Sequence, residues 1–175
     1  DEALPVGNGR LAAMVFGGIH RERIQLNEES IWTGKPVTDF NHHASYDLAE
    51  IRKLIFEGKL NEAQLMAEQK LTGQPENVSY YQPLGDLFID FIGINEDSQV
   101  KNYYRDLHID SALATVHYEV NGRMYTREVI ASYPDNVIVV RITCNVPNSI
   151  NAIVSLTREA DAETFRSPFD STLLI

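Results

Sequence analysis

The sequence predicts a mainly β protein, with antiparallel strands in a sandwich or a barrel and a short inserted helix pair. From residue 84 onward, segments of strand length follow one another at intervals of about ten residues, separated by turn formers. The stretch 46–72 breaks this rhythm because its apolar residues recur at helical spacing. We therefore expect residues 1–175 to form a single strand-built domain with a helical insertion at about residues 46–72.

The strands are predicted from apolar runs and alternations that turn-forming residues bound. Near the start, a Gly-rich opening precedes two short strands, and Gly17-Gly18 forms the turn between them. The expected strands are Leu11–Phe16, Arg23–Asn27, Leu87–Ile92, Tyr103–Ile109, Ala114–Val120, Tyr125–Ala131, Val137–Cys144 and Ile150–Leu156.

The clearest connection between two strands is Asn121-Gly122. Both central residues of a type I′ turn need positive φ, which Asn followed by Gly adopts at little cost. A two-residue loop places Tyr118 opposite Tyr125, so the sequence predicts an aromatic pair across the hairpin.

The insertion is expected to contain two helices. Asp47 is placed to cap the first, since Glu50 follows three residues later in a loose form of the capping box. Gly58 is expected to end that helix, and Gly73 with Pro75 to close the second. The apolar residues at helical spacing are Leu48, Ile51, Leu54 and Ile55, then Leu60, Ala63, Ala67 and Leu71.

Composition argues against several partners. The net charge of −10 disfavours a nucleic acid or an anionic membrane surface, because such partners select for clustered Lys and Arg. No apolar run approaches the roughly 18 residues that cross a bilayer. Cys144 is the single cysteine, so the chain cannot form an internal disulfide or a cysteine metal cluster. It alternates with an apolar strand face, which predicts a buried, inert thiol.

Several short motifs succeed one another along nearly the whole chain. They are Leu4–Gly18, Gln25–Gly34, Ile51–Gly58, Tyr81–Leu87, Tyr125–Val129 and Ser132–Asn136. In this order, with the helical pair among them, they resemble the amino-terminal domain of glycoside hydrolase family 95. Ala12 departs from that pattern, in which Gly is expected, and this puts only the local packing in question.

The resemblance implies that residues 1–175 form a single antiparallel β-sandwich domain, supersandwich-like, with the short inserted helix pair. It also implies that this domain packs against an (α/α)6 catalytic barrel absent from this chain. Family members mainly hydrolyse terminal α-1,2-linked L-fucose with inversion, and some act on L-galactosides. The general acid and the base machinery belong to the barrel, so no catalytic residue is assigned and the chain alone is expected to be inactive. The implied partner is a fucosylated oligosaccharide, with no cofactor.

The same resemblance implies a secreted bacterial enzyme that works in an extracellular or periplasmic setting. No charged-then-apolar signal segment opens the chain, which begins with Asp1 instead of Met. The other end stops on the apolar run Leu173-Leu174-Ile175. We therefore expect both ends to be cut from a longer protein, so that location is inferred from the family only.

Asn27, Glu28 and Trp32 are the candidate substrate-binding residues. They lie where a predicted strand passes into a long irregular segment, and long ordered loops are often functional. Asn and Glu would hydrogen-bond sugar hydroxyls, and Trp would stack on an apolar sugar face. Glu28-Glu29 beside Trp32 is also the only cluster that suggests a carboxyl of raised pKa. The alternative is structural, with Asn27 and Glu28 closing the strand end and Trp32 packing into the sandwich or the domain interface.

Other motifs favour structural interpretations. Gly7-Asn8-Gly9 lacks the spacing of a phosphate-binding loop and predicts a tight turn. His42-His43, with Asp39 and Asp47 nearby, lacks metal-ligand spacing, so no metal site is expected. Asn77-Val78-Ser79 fits the N-glycosylation pattern, which arises often by chance. Tyr80-Tyr81 is either a sugar platform or, as we favour, part of a turn that enters a strand.

Three functional hypotheses remain at this stage. The chain is a pocket-lining, non-catalytic part of a hydrolase, either an α-L-fucosidase or an α-L-galactosidase. Alternatively, it is a free-standing lectin-like module that binds sugars through exposed aromatic side chains. A third possibility is an interdomain scaffold without sugar contact. Binding of L-fucose by the isolated chain would favour the second hypothesis.

Overall fold

In the computed structural model, the described residues are 2–34, 41, 43–73, 79–167 and the backbone of 173–174. The chain divides into two compact units, one of residues 1–31 with 82–175 and the other of residues 32–81. The first, the strand unit, contains two antiparallel sheets arranged as a sandwich. The second, the helical unit, carries the helix pair. The mainly β fold predicted from sequence is confirmed.

The strand unit is built from eleven described strands, and their order in the sheets differs from their order in the chain. The strands are β1 (Leu4–Gly7), β2 (Leu11–Val15), β3 (Arg21–Glu28), β4 (Gly85–Phe91), β5 (Val100–His108), β6 (Leu113–Val120), β7 (Arg123–Ser132), β8 (Val137–Cys144), β9 (Ala152–Thr157), β10 (Phe165–Arg166) and β11 (Leu173–Leu174).

One sheet has the strand order β1-β2-β3-β4-β9 and the other has the order β5-β6-β7-β8. The last two strands form a separate two-stranded ribbon. β9 therefore returns to the first sheet, beside β4, after the whole second sheet has been completed. Every sheet neighbour pairs in the antiparallel sense.

Three short strands were not predicted: β1, β10 and β11. β1 lies in the Gly-rich opening, where Pro5 and Gly7 interrupt any alternation, and it is defined by pairing with β2 through Val6 opposite Ala13. β10 lies in the polar tail and pairs with β11. In each case the pairing partner, rather than the local sequence, creates the strand.

The β6–β7 hairpin confirms the predicted turn. Asn121 and Gly122 have φ values of 53° and 71°, as a type I′ turn requires. The register places Tyr118 opposite Tyr125, and their rings stack with centroids 5.2 Å apart.

The core lies between the two sheets, where alternate residues of each strand point inward. Cys144 belongs to the inner face of β8 and packs against this core, but it is half-buried because β8 is an edge strand, so the expected full burial was wrong. The buried core residues are Val6, Ala13, Val15 and Ile24 from the first sheet and Ala114, Val116, Tyr118, Val120, Tyr125 and Val129 from the second.

A charged pair lies inside this apolar layer. Glu22 on β3 and Arg127 on β7 are both fully buried and form an ion pair across the two sheets. The Arg127 guanidinium also lies 5.1 Å from the ring centroid of Phe91. Burial lowers the pKa of Arg127 to about 10, so the guanidinium stays charged at neutral pH.

The Gly17-Gly18 turn completes the surroundings of this pair. The Gly17 amide donates to Glu22 Oε1 at 2.8 Å, and Arg127 donates to the Gly18 carbonyl at 3.1 Å from both terminal nitrogens. A Cβ at Gly18 would lie 1.9 Å from the Arg21 carbonyl oxygen, so only glycine fits.

Two more side chains of the second sheet hold the same turn. Tyr103 on β5 donates its hydroxyl to the Gly17 carbonyl at 3.0 Å. Arg105, also on β5, donates to the Phe16 carbonyl. We call the turn Phe16–Gly18 together with Glu22, Tyr103, Arg105 and Arg127 the intersheet clamp.

The helical unit has its own small core. Its helices are α1 (Ala44–Phe56) and α2 (Leu60–Lys70), which agree with the predicted insertion. His43 occupies the N-cap of α1, so the prediction of Asp47 there was wrong: the helix begins earlier and Asp47 lies in its first turn. Gly58, with φ of 76°, follows the end of α1 as expected. The packed residues are Ile51, Leu54, Ala63, Met66 and Ala67.

Neither described helix is long and apolar enough to cross a membrane. The two helices pack on each other, each through one of its sides.

The buried ion pair yields a stability prediction. Arg127→Met leaves the Glu22 carboxylate buried without its countercharge, which should lower the free energy of unfolding by about 3–5 kcal/mol. Urea unfolding of the chain, followed by circular dichroism, measures this loss. Arg141→Met is the matched control, because Arg141 forms an exposed ion pair with Glu128 and its loss should cost at most about 1 kcal/mol. Equal losses for the two variants would contradict the structural role of the pair.

Candidate functional site

Asn27 and Glu28 end strand β3 and point to opposite sides of it, because successive strand residues alternate. Asn27 pairs with Ala12 of β2 and shares the outer face of the first sheet with Gln25. Its side-chain amide has no hydrogen-bond partner among the described residues. The two candidates therefore do not converge on one point, although they are adjacent in sequence.

The Glu28 carboxylate is held within the strand unit. Oε1 accepts from Arg10 Nε at 3.1 Å. Oε2 accepts from the Ser30 amide at 2.9 Å and from the Ser30 hydroxyl at 2.6 Å. The carboxylate thus closes the turn that follows β3 and ties it to Arg10.

These contacts fix the charge of Glu28. The hydrogen bonds from Ser30, and then those from Arg10, hold the pKa of Glu28 below its ordinary value of 4.5. The sequence singled out Glu28-Glu29 as a cluster with a possible raised pKa, and for Glu28 the shift is in the opposite direction. Glu28 is therefore an anion at neutral pH, which suits a hydrogen-bond acceptor and not a proton donor.

A second turn lies beside this one. Asn8 Oδ1 accepts from the Arg10 and Leu11 amides at 3.0 and 2.7 Å, which confirms the tight turn predicted at Gly7-Asn8-Gly9. The Glu29 amide donates to the Arg10 carbonyl at 3.0 Å. Arg10 therefore joins the β1–β2 turn to the turn after β3, and backbone and side-chain contacts define this end of the sheet.

Trp32 belongs to the helical unit and lies in an antiparallel bridge with Tyr81. The two rings pack edge to face, with centroids 5.4 Å apart and an interplanar angle of 68°. Trp32 is 52% exposed and Tyr81 46% exposed, so neither side chain is in a core. The half-exposed Trp32 ring thus does not pack into the sandwich core, and its packing in a domain interface stays a prediction.

The sequence favoured a turn for Tyr81, and the pairing of Tyr81 with Trp32 was not predicted. Tyr81 does precede the segment that enters β4 at Gly85, as expected. However, the helix pair separates Trp32 from Tyr81 in the chain, so no local periodicity links the two. Their shared aromatic character was the available signal, and only the fold brings them together.

No group of three or more His, Cys, Asp or Glu residues that could hold a metal occurs among the described residues. His43 is described, and its ring lies 6.0 Å from that of Tyr46. His42 and Asp39 of the possible metal cluster, and Asn77 of the possible glycosylation motif, lie outside the described residues.

The comparison with known protein families identifies the chain at domain level. Residues 1–174 match the family described as "Glycosyl hydrolase family 65, N-terminal domain". This chain belongs to that family. The expectation of a carbohydrate-hydrolase amino-terminal domain is thereby confirmed, whereas family 95 membership stays a prediction.

Individual relatives carry fucosidase names. The chain is 37% identical over 174 residues to "Alpha-L-fucosidase 2" of Arabidopsis thaliana, covering 99% of the chain and 20% of that protein. It is 35% identical over 151 residues to "Probable alpha-fucosidase A" of Aspergillus niger, covering 82% of the chain and 18% of that protein. The chain spans about a fifth of the length of these relatives, which are plant and fungal, so a bacterial origin stays a prediction.

The Glu28 contacts predict a measurable titration. Ser30→Ala removes the hydroxyl that lowers the pKa of Glu28 most, so this pKa should rise toward 4.5. Arg10→Ala should also raise it, because the hydrogen bond and the charge of Arg10 each lower this pKa. NMR titration of the Glu28 side-chain carboxyl measures both shifts. An unchanged pKa of Glu28 in either variant would contradict the cause assigned to that residue.

The lowered pKa of Glu28 sets the direction in which the stability of the fold depends on pH. Because the folded state lowers the pKa of Glu28, its contacts stabilise the fold above the ordinary value of 4.5. That contribution is lost as the pH falls through the lowered pKa, and Ser30→Ala should reduce the loss.

Proposed function

We propose that this chain is the amino-terminal domain of an inverting α-L-fucosidase of glycoside hydrolase family 95 type. The parent enzyme removes terminal L-fucose from oligosaccharides. The observation that carries the proposal is the 37% identity, over nearly the whole chain, to a protein named as an α-L-fucosidase. The order of motifs from Leu4–Gly18 to Ser132–Asn136 supports the same family.

The domain's role in this proposal is to brace a catalytic (α/α)6 barrel that this chain does not include. An inverting glycosidase needs a protonated carboxylic acid and a carboxylate base on opposite faces of the sugar. Glu28 is a poor candidate for the acid because its pKa is lowered. The chain is accordingly proposed to supply no catalytic residue.

Asn27, Glu28 and Trp32 are proposed to line the sugar pocket of the parent enzyme. The amide of Asn27, on an outer sheet face, is available as donor and acceptor for hydroxyls. Glu28 positions the turn after β3 through Arg10 and Ser30, and its anionic oxygens can also accept from hydroxyls. Half-exposed Trp32 offers an apolar ring surface.

The proposed partner is a fucosylated oligosaccharide, and the proposed setting is extracellular or periplasmic. A neutral glycan suits a chain of net charge −10, because its recognition depends on hydrogen bonds and apolar contact and not on cationic groups.

Activity of the full-length protein tests the proposal. It should release L-fucose from an α-1,2-fucosylated oligosaccharide, and the 175-residue chain should release none. Release of L-galactose in preference to L-fucose would favour the α-L-galactosidase alternative. Release of neither sugar by the full-length protein would overturn the proposal.

Trp32→Ala should raise the KM of the full-length enzyme for the oligosaccharide by about tenfold, since an apolar contact worth ~1.4 kcal/mol is lost. The kcat should change little if the ring binds substrate and transition state equally. Phe88→Ala serves as a control for a lost aromatic ring, because Phe88 lies beneath Arg21 on an outer sheet face. Unchanged kinetics in a normally folded Trp32 variant would refute the contact.

A further inference from the structure

We propose that Trp32 and Tyr81 form one aromatic platform, which binds the apolar face of a pyranose ring in an oligosaccharide. The inference rests on the proposed function for the identity of the ligand and extends it to Tyr81, to which neither the family nor the relatives give a role. Its basis is the paired geometry of the two rings, and their exposure, within the helical unit.

The backbone brings the two side chains together in a defined way. The Thr33 amide donates to the Tyr80 carbonyl at 2.8 Å, and the Gln82 amide donates to the Ile31 carbonyl at 3.0 Å. These bonds flank Trp32 and Tyr81, which are therefore directly opposite as a non-hydrogen-bonded pair. In such pairs the side chains approach most closely, on the same side of the two segments.

Further contacts restrict the movement of this pair. The Tyr80 amide donates to the Thr33 hydroxyl at 2.8 Å, which adds a side-chain bond to the backbone bridge. The rings of Trp32 and Tyr81 pack edge to face with their centroids 5.4 Å apart, which is a favoured arrangement for aromatic pairs. A preorganised pair loses little conformational entropy when a ligand binds, which favours binding.

The chemistry of the pair fits a sugar ring. One face of a pyranose can present several C–H groups, whose partial positive charge is attracted to the negative face of an aromatic ring. Burying that face also removes apolar surface from water. Trp32 and Tyr81 are each about half exposed, so they keep surface for a ligand.

Tyr80 provides a matched control within the same segment. It is 77% exposed and adjacent to Tyr81, but its neighbour Tyr81 is the residue opposite Trp32. Successive residues of an extended segment point to opposite sides, so Tyr80 lies off the platform. A nonspecific effect of losing an exposed tyrosine should be the same at the two positions, whereas a platform effect should be confined to Tyr81.

The experiment compares Tyr81→Ala, Tyr81→Phe and Tyr80→Ala in the full-length protein. With an α-1,2-fucosylated oligosaccharide, Tyr81→Ala should raise KM by about tenfold. Tyr81→Phe keeps the ring and should raise KM by no more than about threefold, and Tyr80→Ala should match the wild type. Thermal unfolding of each variant identifies any loss of fold. If Tyr81→Ala does not fold, Tyr81→Leu, which removes the aromatic ring but keeps apolar bulk, replaces it and should raise KM by a similar factor, whereas a wild-type KM in folded Tyr81→Leu would refute the platform.

Failure of the inference and failure of the proposed function are distinguishable. If the wild-type protein releases no L-fucose, the proposed function fails, and the dissociation constant of the same oligosaccharide, measured by calorimetry, replaces KM as the test of the platform. If Tyr81→Ala and Tyr80→Ala give the same value as the wild type in folded protein, the platform is refuted. An equal rise in KM, or in the dissociation constant, for Tyr81→Ala and Tyr80→Ala also refutes the platform.

Discussion

The intersheet clamp is the constraint on which the strand unit depends. Its buried ion pair joins β3 of one sheet to β7 of the other, and Tyr103 and Arg105 bind the same glycine turn from β5. Burying two charges is costly unless each is paired and its remaining donors and acceptors are satisfied. The Gly17 amide donates to the Glu22 carboxylate and the Gly18 carbonyl accepts from both terminal nitrogens of Arg127, whereas Arg127 Nε has no hydrogen-bond partner among the described residues; only residues without Cβ fit at this turn. The clamp thus fixes how the two sheets face each other.

The clamp lies in the turn before β3, and Asn27 and Glu28 lie at the other end of the same strand. A strand whose start is held across the sandwich has little freedom to slide, because a shift by one residue would bring Arg21 or Arg23 inward. The register of β3 therefore fixes where the end of the strand lies relative to the clamp. At that end, Arg10 and Ser30 donate hydrogen bonds to the Glu28 carboxylate and hold it in place. The candidate residues of this unit consequently stand on a rigid element, which precise recognition requires.

The helical unit differs from the strand unit in how few of its apolar side chains are buried. Its small core of five side chains packs the two helices, while several large apolar side chains stay exposed. The first and last residues of this unit, Trp32 and Tyr81, form a bridge that adds a pair of ordered aromatic rings. Exposed, ordered aromatic groups are typical of binding surfaces, because a stability role alone would favour their burial. The strand unit thus offers hydrogen-bonding groups at the end of β3, and the helical unit offers an apolar ring surface of its own.

The sequence by itself determined the strands β2 to β9, the helix pair and the Asn121-Gly122 hairpin, because alternation, helical spacing and turn chemistry act over a few neighbouring residues. It also supplied the motifs that indicate a carbohydrate hydrolase. Only the tertiary structure decided that β9 returns to β4, that Glu22 meets Arg127 although 105 positions separate them, and that Tyr81 pairs with Trp32. It likewise decided that the pKa of Glu28 is lowered. These features depend on which distant groups meet, and neither local periodicity nor composition encodes the partner of a buried charge or an aromatic ring.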